Sequence, residues 1–167
     1  MAKLEYPSLA QLFWLAREAG EIMRDHFYLG GTPEWKEDNT PLTIADREVN
    51  KMVLDFMMQY FPYVNAIGEE GSHEVPGAEY TVTWDPIDGT FTFMVGAAIC
   101  AFCISVLKGD IPIAAVIYDP LGFEPRVWYA VRGRGAFMNN QRIHVSKHAS
   151  LRRAQIFAIS WKGCRYN

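Results

Sequence analysis

The feature that most limits how this chain can fold is an apolar run from Phe91 to Leu107 in which only Thr92 and Ser105 are polar. Its length approaches that of a membrane span. Gly96 interrupts it, however, and Lys108-Gly109-Asp110 supplies a turn before a second apolar run, Ile111 to Tyr118. Two short apolar runs around such a turn read as a buried β-hairpin rather than a span. The N-terminal MAKLEYPSLAQ lacks the apolar stretch of a signal peptide, so a cytoplasmic location is expected.

Upstream of this hairpin the pattern is helical. Ser8 and Gln11 form a capping-box pattern, and Leu9, Leu12, Phe13, Ala16, Ala19, Met23 and Phe27 recur at helical spacing up to Gly30-Gly31. Thr43 is a good N-cap for a second helix with Val49, Met52, Val53, Phe56, Met57 and Tyr60 on one face, stopping before Pro62. Beyond Pro62 the pattern predicts strands at Val64–Ile67, Tyr80–Trp84, Val127–Val131, Gly135–Met138, Gln141–Val145 and Gln155–Ile159, with a tight turn at Asn139-Asn140. Two helices followed by antiparallel strands make an α+β domain, the helices lying on one face of a mainly antiparallel sheet. The strand expected near the end leaves a sheet edge without cover, as in a domain that is incomplete or completed by a partner.

At 167 residues, half of them apolar, the chain suits one domain (residues 1–167) with a sizeable core. A net charge of −3 argues against a nucleic-acid surface; the scatter Arg132, Arg134, Arg142, Lys147, Arg152 and Arg153 reads as a solvated face. Cys100 and Cys103 read as buried, reduced thiols, since zinc needs about four ligands and no second pair accompanies them. His144 and His148 fall in a strand-like stretch, and His26 and His73 lack a partner that would make them catalytic.

Chemistry concentrates in Trp84-Asp85-Pro86-Ile87-Asp88-Gly89-Thr90. Pro86 takes the chain out of the ladder, and Gly89 permits a tight turn. Asp85 and Asp88 can then converge on one point, with the Ile87 carbonyl as a third hard oxygen ligand. The N–H groups of Gly89 and Thr90 would favour a bound phosphate. Hard ligands beside an anion site imply Mg²⁺. Gly68-Glu69-Glu70-Gly71 supplies adjacent acids that repel unless exposed or neutralised by a cation, and Asp38 and Thr43 add polar groups before the second helix. Taken singly, each of these is ordinary turn or cap chemistry.

The order Asp38-Asn-Thr-Pro-Leu-Thr43-Ile-Ala-Asp46, Ile67-Gly-Glu-Glu70, then Trp84-Asp-Pro-Ile-Asp-Gly-Thr90 resembles the inositol monophosphatase superfamily, Mg²⁺-dependent and lithium-sensitive phosphomonoesterases. Gly133-Arg-Gly-Arg-Gly-Ala-Phe-Met-Asn139 and Ile143-His-Val-Ser146 also look like family sequence. The resemblance implies that Glu69, Asp85 and the Ile87 carbonyl hold a first metal, with Asp85 shared and Asp88 on a second. Glu70 would support the cluster from behind. Gly89, Thr90, Ile87 and Asp88 would meet the substrate phosphate, and Thr90 would orient the attacking water. Asp38 is expected to match a loop aspartate near the metals, which with Glu69 and Thr90 completes the catalytic set. Such enzymes are commonly homodimers acting on small phosphorylated metabolites, without nucleic-acid or membrane partners.

Two departures matter. Phe91-Thr92-Phe93 stands where the family motif continues with asparagine. The family's C-terminal half, with a further Trp-Asp motif, is missing: Trp84-Asp85 is the sole Trp-Asp here. The expected function is therefore Mg²⁺-dependent hydrolysis of a small phosphomonoester. Inositol phosphate is the default, and histidinol phosphate, fructose bisphosphate and adenosine bisphosphate are alternatives; TPLTIAD leans toward the histidinol-phosphate or nucleotidase branches. The other reading is a catalytically impaired relative that binds metal or phosphate, or dimerises.

Overall fold

The structure, a computed structural model, describes residues 4–27, 34–36 and 41–155. Helix α1 spans Leu9–Phe27 and α2 spans Ile44–Tyr60, followed by the short α3 at Thr90–Met94. The strands are β1 (Glu34–Trp35), β2 (Pro41–Leu42), β3 (Asn65–Gly68), β4 (Gly71–His73), β5 (Tyr80–Asp88), β6 (Ala101–Lys108), β7 (Ile111–Asp119), β8 (Arg126–Val131), β9 (Gly135–Met138) and β10 (Gln141–Ile143). Apart from the small β1–β2 ladder, they form one eight-stranded sheet in the order β10-β9-β8-β7-β6-β5-β3-β4. No helix among the described residues is long and apolar enough to cross a membrane.

Both capping signals form as read. Ser8 accepts from the Gln11 N–H while the Gln11 side chain accepts from Ser8, and Thr43 and Asp46 close the same reciprocal box on α2. The two helices lie on one sheet face. There Leu12, Leu15 and Met23 of α1 and Val49, Val53 and Met57 of α2 meet Val82, Phe102, Ile104, Val106 and Val116 in a fully buried core. The Lys108-Gly109-Asp110 turn joins β6 to β7 as expected, and Asn139-Asn140 turns with positive φ at both residues.

Three readings need correction. The first part of the Phe91–Leu107 run is not a strand: Phe91–Met94 forms α3, and the ladder begins only at Ala101, because a continuous apolar run carries no period to tell a helical turn from a strand. The sheet is mainly antiparallel, as expected, with β3 running parallel to β5. β5 continues to Asp88, past the expected Trp84, with its pairing to β6 interrupted between Asp85 and Asp88 around Pro86. β10 ends at Ile143 rather than Val145. The strand expected at Gln155–Ile159 and the Gly30-Gly31 stop lie outside the described residues, apart from Gln155, which is in neither helix nor strand.

Candidate active site

The parallel pairing of β3 with β5 sets Gly68 beside Trp84, so Glu69-Glu70 and Asp85 lie at the same end of the sheet. Only glycine fits at position 68. A Cβ there would lie 2.2 Å from Asn50 Oδ1 and 2.4 Å from the Trp84 ring. The buried indole N–H of Trp84 donates to Asn50 Oδ1 at 2.9 Å, which ties this end of β5 to α2. Glu69 and Glu70 occupy the turn between β3 and β4.

Beyond Trp84 the chain bends at Pro86. Asp85 Oδ1 accepts from the Ile87 N–H at 3.0 Å, closing a short turn on itself. Gly89 then adopts φ 94°, a left-handed conformation that favours glycine, and α3 starts at Thr90. A Cβ at Gly89 would also approach the Ile99 carbonyl to 2.8 Å. The Thr90 hydroxyl lies 3.0 Å from the Ile87 carbonyl and 3.2 Å from Asp46 Oδ1, facing both acceptors.

Asp46 is the residue that sequence reasoning missed as part of the site. It is buried at the first turn of α2, where its Oδ2 accepts from the Thr43 N–H at 2.8 Å and the Thr43 hydroxyl at 2.5 Å. Its other oxygen faces Thr90. The signal was present as the acidic partner in a Thr-x-x-Asp capping box. Asp38, expected near the metals, lies outside the described residues.

The electrostatics are those of an acidic cluster short of cations. Burial, with the charges of Glu69 and Asp88 added, pushes the Asp85 carboxyl up to about 7. Burial also raises Asp46, against the opposing hydrogen bonds from Thr43 and Thr90. Lys36 supplies the nearby positive charge, its Nζ 2.6 Å from Glu69 Oε1 and paired with Glu70 as well. Burial would lower that ammonium's pKa, but its hydrogen bonds to the two glutamates carry it above its ordinary value.

Among the described residues no three His, Cys, Asp or Glu side chains converge as a ready-made metal cage. The donor chemistry nonetheless fits a hard divalent cation: carboxylates and a backbone carbonyl, an Asp85 whose ionisation is resisted by its neighbours, and an ammonium already drawn to Glu69 and Glu70. A cavity of about 460 Å³ adjoins this end, bounded by Asp88, Gly89, Thr92, Cys100, Arg126 and Trp128. Cys100 and Cys103 are free thiols, pushed up to about 12 by burial first and nearby carboxylates second, which keeps them protonated and unreactive.

A family model described as the inositol monophosphatase family matches residues 7–164. The chain belongs to the inositol monophosphatase family. An inositol monophosphatase of Mesembryanthemum crystallinum is 33% identical over 81% of this chain and 51% of its own length. A histidinol-phosphatase of Mycobacterium tuberculosis is 36% identical over 89% of this chain and 59% of its own. Among solved structures, an IMPase of Thermotoga maritima superposes with a TM-score of 0.74 at 31% identity, over 83% of this chain and 53% of that one. The α+β architecture is thus that of the family, and the chain spans about half the length of the relatives it matches.

Proposed function

We propose that this inositol monophosphatase family chain carries the metal- and phosphate-binding part of a Mg²⁺-dependent phosphomonoesterase acting on a small phosphorylated metabolite. The observation that carries the reading is the junction of three separate segments at one end of the sheet: Asp46 from α2, Glu69-Glu70 after β3, and Asp85 to Thr90 at the end of β5.

In this reading Glu69, Asp85 and the Ile87 carbonyl hold one Mg²⁺, and Asp85 and Asp88 hold a second. Bound there, the metal would lower the pKa of a water and stabilise the leaving alkoxide. The chain's own groups do the rest. The Thr90 hydroxyl points its hydrogen toward Asp46 and Ile87, leaving its oxygen lone pairs to accept from the attacking water. Asp46, its carboxyl raised by burial, is suited to draw that proton onward. The N–H groups of Gly89 and Thr90 would hold the phosphate oxygens, with Glu70 behind the cluster and Asp38 as a further catalytic carboxylate. No covalent phosphoenzyme is required.

The substrate default is inositol monophosphate. Relatives named histidinol-phosphatase and fructose-1,6-bisphosphatase widen the panel to those phosphates. Isothermal titration with Mg²⁺ tests the metal reading: heat of binding in the native chain, lost in Glu69→Gln and Asp85→Asn, supports it, and equal binding in all three refutes it. A second reading, a binding module without turnover, is favoured by Lys36 pairing with the proposed ligand Glu69.

A further inference from the structure

Among the described residues, Arg126 is the one cationic side chain lining the cavity of about 460 Å³ beside Asp88 and Gly89. The strand registers place it in the same row as Asp88. Asp88 pairs with Ala101 across β5 and β6; Ala101 lies one step beyond the Phe102–Tyr118 pair, beside Asp119; and Asp119 pairs with Arg126 across β7 and β8. Three strand spacings, about 14 Å, separate the backbones of Asp88 and Arg126. The Arg126 side chain reaches back along that row. Its Nη2 donates to Asp119 Oδ2 at 2.8 Å, and its Cζ stands 5.3 Å from the centroid of the Trp128 ring. The guanidinium is thereby drawn toward β7, two strand spacings or about 10 Å from the end of β5. Ala101, with a single methyl, floors the gap. Asp119 is a fixed anchor: it is buried, and its Oδ1 accepts from the Leu121 and Gly122 N–H groups at 3.1 and 3.0 Å. Arg126 is half-exposed, and the bond to Asp119 uses one of its five N–H groups, leaving the rest to donate into the cavity.

We propose that Arg126 is a specificity-determining residue that binds a second phosphate of the substrate, so that the site favours small bisphosphorylated molecules; this rests on the phosphate site at Gly89 and Thr90 proposed above. Distance decides against Arg126 sharing the first phosphate. A separation of about 10 Å exceeds the span of one phosphate group and suits two phosphates at opposite ends of a short carbon skeleton. Charge favours phosphate over carboxylate at the far end. Arg126 already shares its charge with Asp119, and a phosphate monoester carries close to two negative charges at neutral pH, where a carboxylate carries one. The planar guanidinium, held by Asp119 on one side and the Trp128 ring on another, is pre-organised and loses little freedom when it takes a phosphate in its fork.

Isothermal titration of the full chain in Mg²⁺ with methylphosphonate and with pentane-1,5-bisphosphonate, neither of them hydrolysable, tests this in the native chain, Arg126→Gln and Arg126→Lys. Glutamine can still donate to Asp119, and native far-UV circular dichroism is checked in both variants. The native chain should bind the bisphosphonate at least tenfold more tightly than methylphosphonate. Arg126→Gln should bind the two alike, with its methylphosphonate affinity unchanged, and Arg126→Lys, which keeps the charge without the fork, should retain part of the preference. Equal binding of both probes by the native chain, a preference that survives Arg126→Gln, or an equal loss of both probes in that variant would overturn the proposal and leave the phosphate site standing. A native chain that binds neither probe would overturn the phosphate site and this proposal with it.

Discussion

Asp46→Asn separates the structural role of Asp46 from its chemical one. Asp46 accepts three hydrogen bonds, two from Thr43 and one from Thr90. An asparagine that keeps its oxygen toward Thr43 preserves the capping box and turns its NH₂ to Thr90. Thr90 can then accept from that NH₂ and donate to the Ile87 carbonyl alone. The number of bonds is conserved, and a buried charge that its surroundings resist is removed. The expected stability change is therefore within about 1 kcal/mol. Asp46→Ala loses all three bonds, at about 1 kcal/mol each, and should cost about 3 kcal/mol. Both figures are measurable by urea denaturation. Activity should divide differently: neither variant offers a carboxylate to draw a proton from Thr90, so Mg²⁺-dependent phosphate release should fall by about 10²-fold or more in each. An Asn variant as unstable as Ala would refute the hydrogen-bond reasoning. An Asn variant within a few-fold of native activity would refute the proton role of the Asp46–Thr90 pair.

The pH dependence follows from Asp85. Its folded pKa of about 7 lies above the ordinary 3.8, so the folded state holds the proton more tightly, and metal-free stability should fall as pH rises from about 4 to about 7. Differential scanning fluorimetry should accordingly show a larger Mg²⁺-induced rise in Tm at pH 8 than at pH 5; an equal rise at both would count against Asp85 as a ligand. Gly89→Ala places a Cβ against the Ile99 carbonyl at positive φ and should cost about 1–3 kcal/mol in urea denaturation while weakening inorganic phosphate binding. Asn50→Leu leaves the Trp84 indole N–H buried without an acceptor, for about 1–3 kcal/mol, read by the same denaturation.

Much of the fold was legible because local signals and tertiary structure agree. The Ser8-Gln11 box and the Thr43 cap set both helix starts, and the turns at Lys108-Gly109-Asp110 and Asn139-Asn140 fall where their residues require. What escaped was non-periodic or non-local. α3 hides in an apolar run because Phe91, Phe93 and Met94 suit helix and strand alike. The parallel β3–β5 pairing is invisible in the sequence, since β4 intervenes between them. Asp46 could be seen as a cap, but its approach to Thr90 joins residues 44 apart. Cys103, read as a buried thiol, is only half-buried, because the cross-strand register places it with Ile117 on the face opposite the helices.

The proposed phosphatase function is tested most directly by Mg²⁺-dependent phosphate release from a panel of inositol monophosphate, histidinol phosphate and fructose 1,6-bisphosphate, with Asp88→Asn alongside. Release that requires Mg²⁺ and disappears in Asp88→Asn is the expected result, and the best substrate would name the branch. A folded native chain that releases no more phosphate than Asp88→Asn would contradict it.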